Sequence, residues 1–335
     1  MNGTPDRDAS PEDRILAMAR AFQASRVLLT AHELDVFTLL SRGAKSAGDV
    51  ARQAATDERA MDRLLGALCA LGFLEKKNGL FANTPESERF LSRDSEEYLA
   101  GLAHMSQQFR SWASLTQAVR QGTKADPGPI DSDDGQRTRD FIAAMHGRAK
   151  GNAANLARLI GLDGVRRILD VGGGSGVYAM ALVREAREAT AVVLDLPKVA
   201  LLARQYLREA GMQEKIAVVP GDYHQADFGS GFDLIVFSAV LHINSAQENL
   251  ALAHKAFAAL NPAGRVAIED FVMDEDRTGP ARGALFALNM LVSTTRGDTY
   301  TEAEIFGWLR RAGFTDLVRK QTGPGSSLIV GRKPS

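Results

Sequence analysis

An apolar run, Ile168-Leu169-Asp170-Val171, breaks into Gly172-Gly173-Gly174-Ser175-Gly176 and then into residues with a helical pattern. Few sequences turn this sharply from strand to helix. Glycines let the backbone fold back tightly and lie against a ligand. Free amides at the start of the helix can receive the ligand's negative end. The segment therefore demands an α/β sheet with a binding crevice at the carboxyl end of its first strand.

The chain around it obeys that demand. From Val165 onward, short apolar runs at residues 167–171, 191–195, 216–220, 232–237 and 264–271 read as strands. Helical patterns at 177–187, 197–210, 246–260 and 301–312 alternate with them. The alternation predicts a mostly parallel, seven-stranded Rossmann-like sheet with helices on both faces. Residues 316–321 and 327–331, joined by Gly323-Pro324-Gly325, read as an antiparallel hairpin on the sheet edge.

The first half reads differently. A polar stretch to Ser10 is expected to be mobile. Ser10-Pro11-Glu12-Asp13 then marks a helix start, and Ile15, Met18, Phe22, Val27, Leu28, Leu34 and Phe37 follow at helical spacing. Helical patterns at 47–55 and 58–71 lead into residues 74–81, two short strands around Asn78-Gly79. That order is a winged helix. Helices are expected at 96–121 and 138–160, with a surface loop at 126–135 rich in Pro, Gly and Asp. The predicted domains are a mainly α winged-helix domain at 11–100, linking and pocket helices at 101–160, and the Rossmann-like domain at 161–335.

Spacing narrows the ligand. A dinucleotide fingerprint counted from Gly172 and Gly174 needs glycine at 177, where Val177 stands. The chain instead reads D-x-G-x-G-x-G through Asp170, Gly172, Gly174 and Gly176. In that form the Asp170 carboxylate can serve the ammonium of S-adenosylmethionine. Asp195, ending the second strand with Leu196 behind it, can accept from both ribose hydroxyls. Asp222, after the third strand, can accept from an adenine amino group, with Tyr223 near the ring. Each acid alone could instead cap a helix. Ser238 follows the fourth strand and completes the cofactor set. His242 lies just beyond it, where such sheets bind ligands. An imidazole can take the proton of a hydroxyl under methylation, a contribution of roughly 10²–10⁴ in rate.

Composition excludes other classes. The formal net charge of the 335 residues is −1, so no overall field draws in nucleic acid or an anionic membrane. The single cysteine, Cys69, excludes an internal disulfide and a thiolate-rich metal site. No metal is expected. No apolar run is long enough to span a bilayer, and the polar amino terminus is neither a signal nor a transit peptide, so a cytoplasmic location follows.

The segments LDVGGGSG, VVLDLP, GDYHQADF and GRVAIEDFVMDED, with the His242 region, together resemble one family over about residues 14–333. It is that of the small-molecule O-methyltransferases, including plant caffeate and isoflavone enzymes, acetylserotonin O-methyltransferase, and bacterial polyketide and pigment enzymes. The resemblance implies S-adenosylmethionine as methyl donor, S-adenosylhomocysteine as product, and a homodimer formed through the winged-helix domain. It implies His242 as general base, with a partner carboxylate at Asp270, or at Glu269 if the register slips by one. It places Met145 and Met290 in the acceptor pocket, with Phe286, Asn289 and Ser293 nearby. His146, His104, Phe109 and Trp112 are further candidates, and core packing is the alternative for Met105, Phe109 and Trp112. An apolar pocket suits an aromatic or hydrophobic acceptor. Three positions depart from the family pattern: Ile243 and Asn244 stand where Asp and Trp are usual, and Thr299 where a second acid is usual. Methylation of carbon, nitrogen or sulfur on the same scaffold stays open. A winged-helix DNA-binding regulator is the remote reading, because the would-be recognition helix at 58–68 carries two basic and two acidic residues rather than a basic face.

Overall fold

The computed structural model describes residues 10–125, 135–323 and 325–335, and the chain divides into two units, 1–107 and 108–335. The expected mobile amino-terminal stretch, most of the 126–135 loop and Pro324 lie outside the described residues.

The first unit begins with α1 (Pro11–Arg20), capped by the Ser10 hydroxyl on the Asp13 amide with Pro11 at the first helical position. There follow α2 (Phe22–Glu33), α3 (Val36–Ser41), α4 (Ala47–Gln53) and α5 (Glu58–Ala70). The hairpin β1 (Leu74–Lys77) and β2 (Leu80–Asn83) turns through Asn78 and Gly79, both at positive φ, as a two-residue hairpin turn requires. Phe81 also pairs with Lys45 in an isolated antiparallel bridge beside the hairpin. Phe37, Leu40, Val50, Met61, Leu65, Leu68 and Phe81 form the core. Sequence patterning missed α6 (Pro85–Leu91).

The next helix, α7 (Gly101–Ala113), crosses from one unit to the other. The expected helix at 96–121 is two: Ser114 interrupts it, and α8 (Leu115–Gln121) follows. The expected helix at 138–160 is likewise α9 (Gln136–Lys150) and α10 (Ala153–Ile160), divided at Gly151-Asn152.

In the second unit the strands are β3 (Arg167–Val171), β4 (Thr190–Asp195), β5 (Ile216–Pro220), β6 (Phe232–Ser238), β7 (Leu260–Met273), the two-residue β8 (Tyr300–Thr301), β9 (Thr315–Gly323) and β10 (Ser326–Arg332). Their order is β5-β4-β3-β6-β7-β10-β9, with β8 beside the end of β7. The pairs from β5 to β7 are parallel; β10 runs antiparallel to β7 and β9, so the terminal hairpin closes the sheet edge. The helices between strands are α11 (Val177–Glu185), α12 (Pro197–Glu209), α13 (Ala246–Ala259), α14 (Ala281–Ser293) and α15 (Glu302–Ala312).

Strand alternation divides the core in two. Ile168, Leu234, Val236 and Ala267 pack with Leu156 of α10, Ala179 and Leu182 of α11, and Leu207 of α12. Leu169, Val171, Ile235, Phe237 and Ile268 face Leu252 and Ala256 of α13 and Ile305 and Leu309 of α15. Strand order reverses between β3 and β6, which opens the crevice where such sheets bind ligands. No helix among the described residues is long and apolar enough to cross a membrane.

Candidate functional site

The glycine turn forms one wall of that crevice. Gly172 has φ 66°, and a Cβ there would come within 2.8 Å of Val240 and 3.7 Å of Tyr223, so only glycine lets the chain pass. A Cβ on Gly173 would lie 2.7 Å from the Asp170 carboxylate tucked beneath it. Asp170 has no exposed surface; its Oδ2 accepts from the Ala179 amide at 3.2 Å, while its Oδ1 is buried without a partner. Burial pushes this carboxyl up to about 7.

Gly174 donates its amide to Asp195 Oδ2 at 2.8 Å, fastening the end of β4 to the turn, and Gly176 caps α11. Asp195 Oδ1 accepts from the Leu196 amide at 2.7 Å. Burial raises the Asp195 carboxyl, against these two amide bonds. The Leu196 side chain stays exposed beside it. Asp222 Oδ1 accepts from the His224 amide at 2.9 Å. The Tyr223 hydroxyl donates to Asn244 Oδ1 at 3.1 Å, and burial raises its pKa. The three strand-end acids and Tyr223 thus line successive strands of one crevice.

The loop after β6 carries His242, in a single helical turn at Leu241–Ile243. Its Nδ1 lies 2.7 Å from Asp270 Oδ1, and its backbone amide donates to Asp270 Oδ2 at 3.3 Å. Both side chains are buried, at 10% and 3% exposure. The partner of His242 is therefore Asp270. Alternation along β7 turns Glu269 to the other face, where its Oε2 accepts from the Ser238 hydroxyl at 3.1 Å. Asn244, conspicuous in sequence only as a departure, ties the loop together. Its amide donates to the Val240 carbonyl and to Asn249 Oδ1, each at 3.2 Å, and Asn249 donates to the Leu241 carbonyl at 3.0 Å.

Of the expected acceptor residues, Phe286 meets His242 directly, ring edge to ring face with centroids 4.8 Å apart. It also stacks on Phe271 at 4.1 Å. Asn289, buried on the same helix, accepts from the Trp112 indole at 3.0 Å. Met290 is buried beside it; Ser293, at the end of α14, and Met145, on α9, are half-buried. His146 lies at the glycine turn, its Nδ1 2.8 Å from the Ser175 hydroxyl and its ring stacked on Tyr206. His104 and Met105 belong to the first unit; Phe109 belongs to the second.

Sequence reasoning missed Tyr178 and Arg148. Burial pushes the Tyr178 hydroxyl up to about 12, against the opposing influence of the Ser238 hydroxyl. The place of Tyr178 on the second residue of α11, directly after the glycine turn, was the available signal. Arg148 sits over the Phe271 ring at 5.4 Å, and nothing in the spacing of α9 singles it out.

The O-methyltransferase domain family matches residues 112–315, and the O-methyltransferase dimerisation domain family matches residues 16–93. The chain is 32% identical to the 3-hydroxy-5-methyl-1-naphthoate 3-O-methyltransferase of Streptomyces sahachiroi, over 98% of this chain and 97% of that protein. It is 31% identical to the tetracenomycin polyketide synthesis 8-O-methyl transferase of Streptomyces glaucescens, over 99% of both. Among solved structures, human N-acetylserotonin methyltransferase in complex with SAM superposes with a TM-score of 0.84 at 26% identity, covering 98% of this chain and 100% of that one.

Proposed function

The chain belongs to the S-adenosylmethionine-dependent O-methyltransferase family, and from that premise we propose that it methylates a hydroxyl of a small aromatic molecule, with His242 as general base. The observation that carries this reading is the 2.7 Å contact between His242 and Asp270, at the ends of strands next to the one that carries the glycine turn. Because Asp270 accepts at Nδ1, that nitrogen holds the proton and Nε2 keeps its lone pair. Nε2 takes the proton of the acceptor hydroxyl. Asp270 orients the ring and stabilises the imidazolium that results. Phe286 fixes the ring from its edge and offers the acceptor an aromatic wall.

The residues fit S-adenosylmethionine. Asp195 would hold the ribose hydroxyls, Asp222 and Tyr223 the adenine with Leu196 against its face, and Asp170 with Ser238 the amino-acid end. The unpartnered Asp170 Oδ1 is a feature a donor-bearing ligand satisfies. When bound, S-adenosylmethionine supplies the electrophilic methyl group. Holding acceptor and donor in line supplies the rest of the acceleration. Two copies pair through the amino-terminal domain, where Ile15, Met18 and Phe22 leave an apolar face exposed for a partner.

Calorimetry with S-adenosylhomocysteine tests the cofactor. The wild type binds it, and Asp195→Ala weakens binding by roughly ten- to a hundredfold through lost charge-assisted bonds. Absence of binding to the wild type would end the reading. A methyl-transfer screen over phenols, hydroxyquinones, enols, thiols and alkyl alcohols, read by mass, tests the acceptor. Exclusive methylation of a carbon or sulfur nucleophile would overturn the O-methyl assignment.

A further inference from the structure

Asp270 is not the whole support of His242. The backbone carbonyl of His242 accepts from the Asp298 amide at 3.0 Å. Gly297 packs on the same carbonyl, and a Cβ there would collide with it. The Tyr300 hydroxyl donates to the Asn244 carbonyl. Residues 297–300 thus grip the turn that carries the base at two of its carbonyls. One end of this segment is tied to α14: the Thr294 hydroxyl accepts from the Gly297 amide at 2.8 Å and donates to the Met290 carbonyl at 2.8 Å. The other end is tied by Arg277, in the loop after β7. Its Nη1 donates to the Thr299 carbonyl at 2.8 Å and reaches Asp298 Oδ2 at 3.5 Å. Its Nη2 meets both Glu304 oxygens, at 2.6 and 2.7 Å. Glu304 is itself fixed by its capping box with Thr301 at the start of α15. The planar guanidinium therefore bridges the 298–299 peptide to the helix that follows it. Position 299 supplies a carbonyl to this bridge rather than a carboxylate to the base.

We infer that Arg277 is a positioning residue for His242: by fixing the 298–299 peptide it keeps the Asp298 amide on the His242 carbonyl, and so keeps the imidazole on Asp270. The inference rests on the general-base reading above. The turn at Leu241–Ile243 is a single one, too short to hold its own geometry by helical bonds. Its position is set by the groups that meet its backbone: Asp270 at the His242 amide, Asp298 at the His242 carbonyl and Tyr300 at the Asn244 carbonyl. Release of the 298–299 peptide frees one of these, and the ring moves with the turn. The Arg277–Glu304 pair is itself 41% and 36% exposed, so its loss weakens the fold little. The effect of removing Arg277 therefore falls on the base and not on the fold.

The test uses Arg277→Gly. Arg277 has φ 58°, so glycine removes the guanidinium and still suits the left-handed turn. Wild type and variant are compared in three ways: affinity for S-adenosylhomocysteine by calorimetry, methyl transfer to a panel of phenols, and the ring tautomer of His242. The tautomer is read by nitrogen NMR on histidine-labelled protein with S-adenosylhomocysteine bound, the His242 signals being those that His242→Ala removes. The wild type shows the Nδ1–H tautomer. Arg277→Gly keeps its affinity for S-adenosylhomocysteine and a Tm near that of the wild type. It loses roughly ten- to a hundredfold in kcat with little change in acceptor KM, and its His242 signals become a mixture of tautomers. An unchanged kcat, or an unchanged single tautomer, overturns the inference. Equal losses of cofactor affinity and turnover overturn it too, because Arg277 would then support the whole crevice. Unchanged turnover in His242→Ala removes the general-base reading instead, and the tautomer signals then show by themselves whether Arg277 positions the ring.

Discussion

Replacing Asp170 with asparagine isolates the proton that this site should release on binding its cofactor. The carboxyl is fully buried, with one amide bond at 3.2 Å and one oxygen without a partner. Burial raises it to about 7 from an ordinary 3.8. Between those values the unfolded chain has lost a proton that the native chain keeps. Stability of the ligand-free protein therefore falls as pH rises, by about 1.4 kcal/mol per pH unit and about 4 kcal/mol across the whole window. Below the window both states are protonated and the burden vanishes; above it both are ionised and the burden is constant. An ammonium placed against the free oxygen offsets it and draws the carboxyl back to its ionised form. Binding of S-adenosylhomocysteine should then expel about 0.9 proton at about pH 6 and about 0.1 at about pH 8. Titration calorimetry in buffers of different ionisation enthalpy counts those protons. Asp170→Asn should lack this release, melt at a higher temperature than the wild type at pH 8 without ligand, and bind S-adenosylhomocysteine more weakly there. The difference between wild type and variant separates Asp170 from Glu269, whose carboxyl burial also raises. A difference of zero at the acid end of the window would refute the reasoning.

Three further outcomes follow from the same geometry. His242→Ala should keep its affinity for S-adenosylhomocysteine and lose roughly 10²–10⁴ in methyl transfer; unchanged turnover ends the general-base assignment. Asp270→Asn turns a charge-assisted bond into a neutral one, so kcat should fall roughly ten- to a hundredfold while the acceptor KM changes little. A rise in KM alone would point instead to a pocket role. Asn244→Ala strands the Tyr223 hydroxyl and Asn249 and should cost about 1–3 kcal/mol, read as a lowered Tm, with a loss of kcat because the His242 loop is released. An unchanged Tm would show that water satisfies those groups.

Periodicity reported some of this architecture well. The bounds of β3 and β5 match the sequence reading because each is a short apolar run closed by Gly or Pro chemistry. The two long helical patterns concealed breaks at Ser114 and Gly151-Asn152, since a change of axis leaves the spacing of apolar residues nearly intact. Helix α6 escaped although Thr84 caps it and Pro85 opens it, because seven residues hold too few apolar positions to show a period. The strand-end acids were legible from spacing. The choice between Glu269 and Asp270 was not, for it depends on which face each residue takes, and that is fixed only by the pairing of Ser238 with Glu269. His146 also depended on tertiary packing: its contact with Ser175 joins residues 29 positions apart.

The three departures from the family pattern now have a physical meaning. Ile243 points into solvent, so the position after His242 contributes no charge to the base. Asn244 stands in place of a large ring as a buried amide that bonds Tyr223, Val240 and Asn249, so the loop is held by hydrogen bonds instead of bulk. Thr299 is buried with its hydroxyl unpartnered, and neighbouring Asp298 is occupied by the Thr299 amide at 2.7 Å and by Arg277 at 3.5 Å. Among the described residues His242 therefore has one carboxylate partner, Asp270. An imidazolium stabilised from one side matches a hydroxyl that gives up its proton readily, because a general base works best when the transfer is close to balanced. Phenols and hydroxyquinones meet that condition and alkyl alcohols do not. The aromatic surface formed by Phe286 and Phe271 beside His242 selects in the same direction.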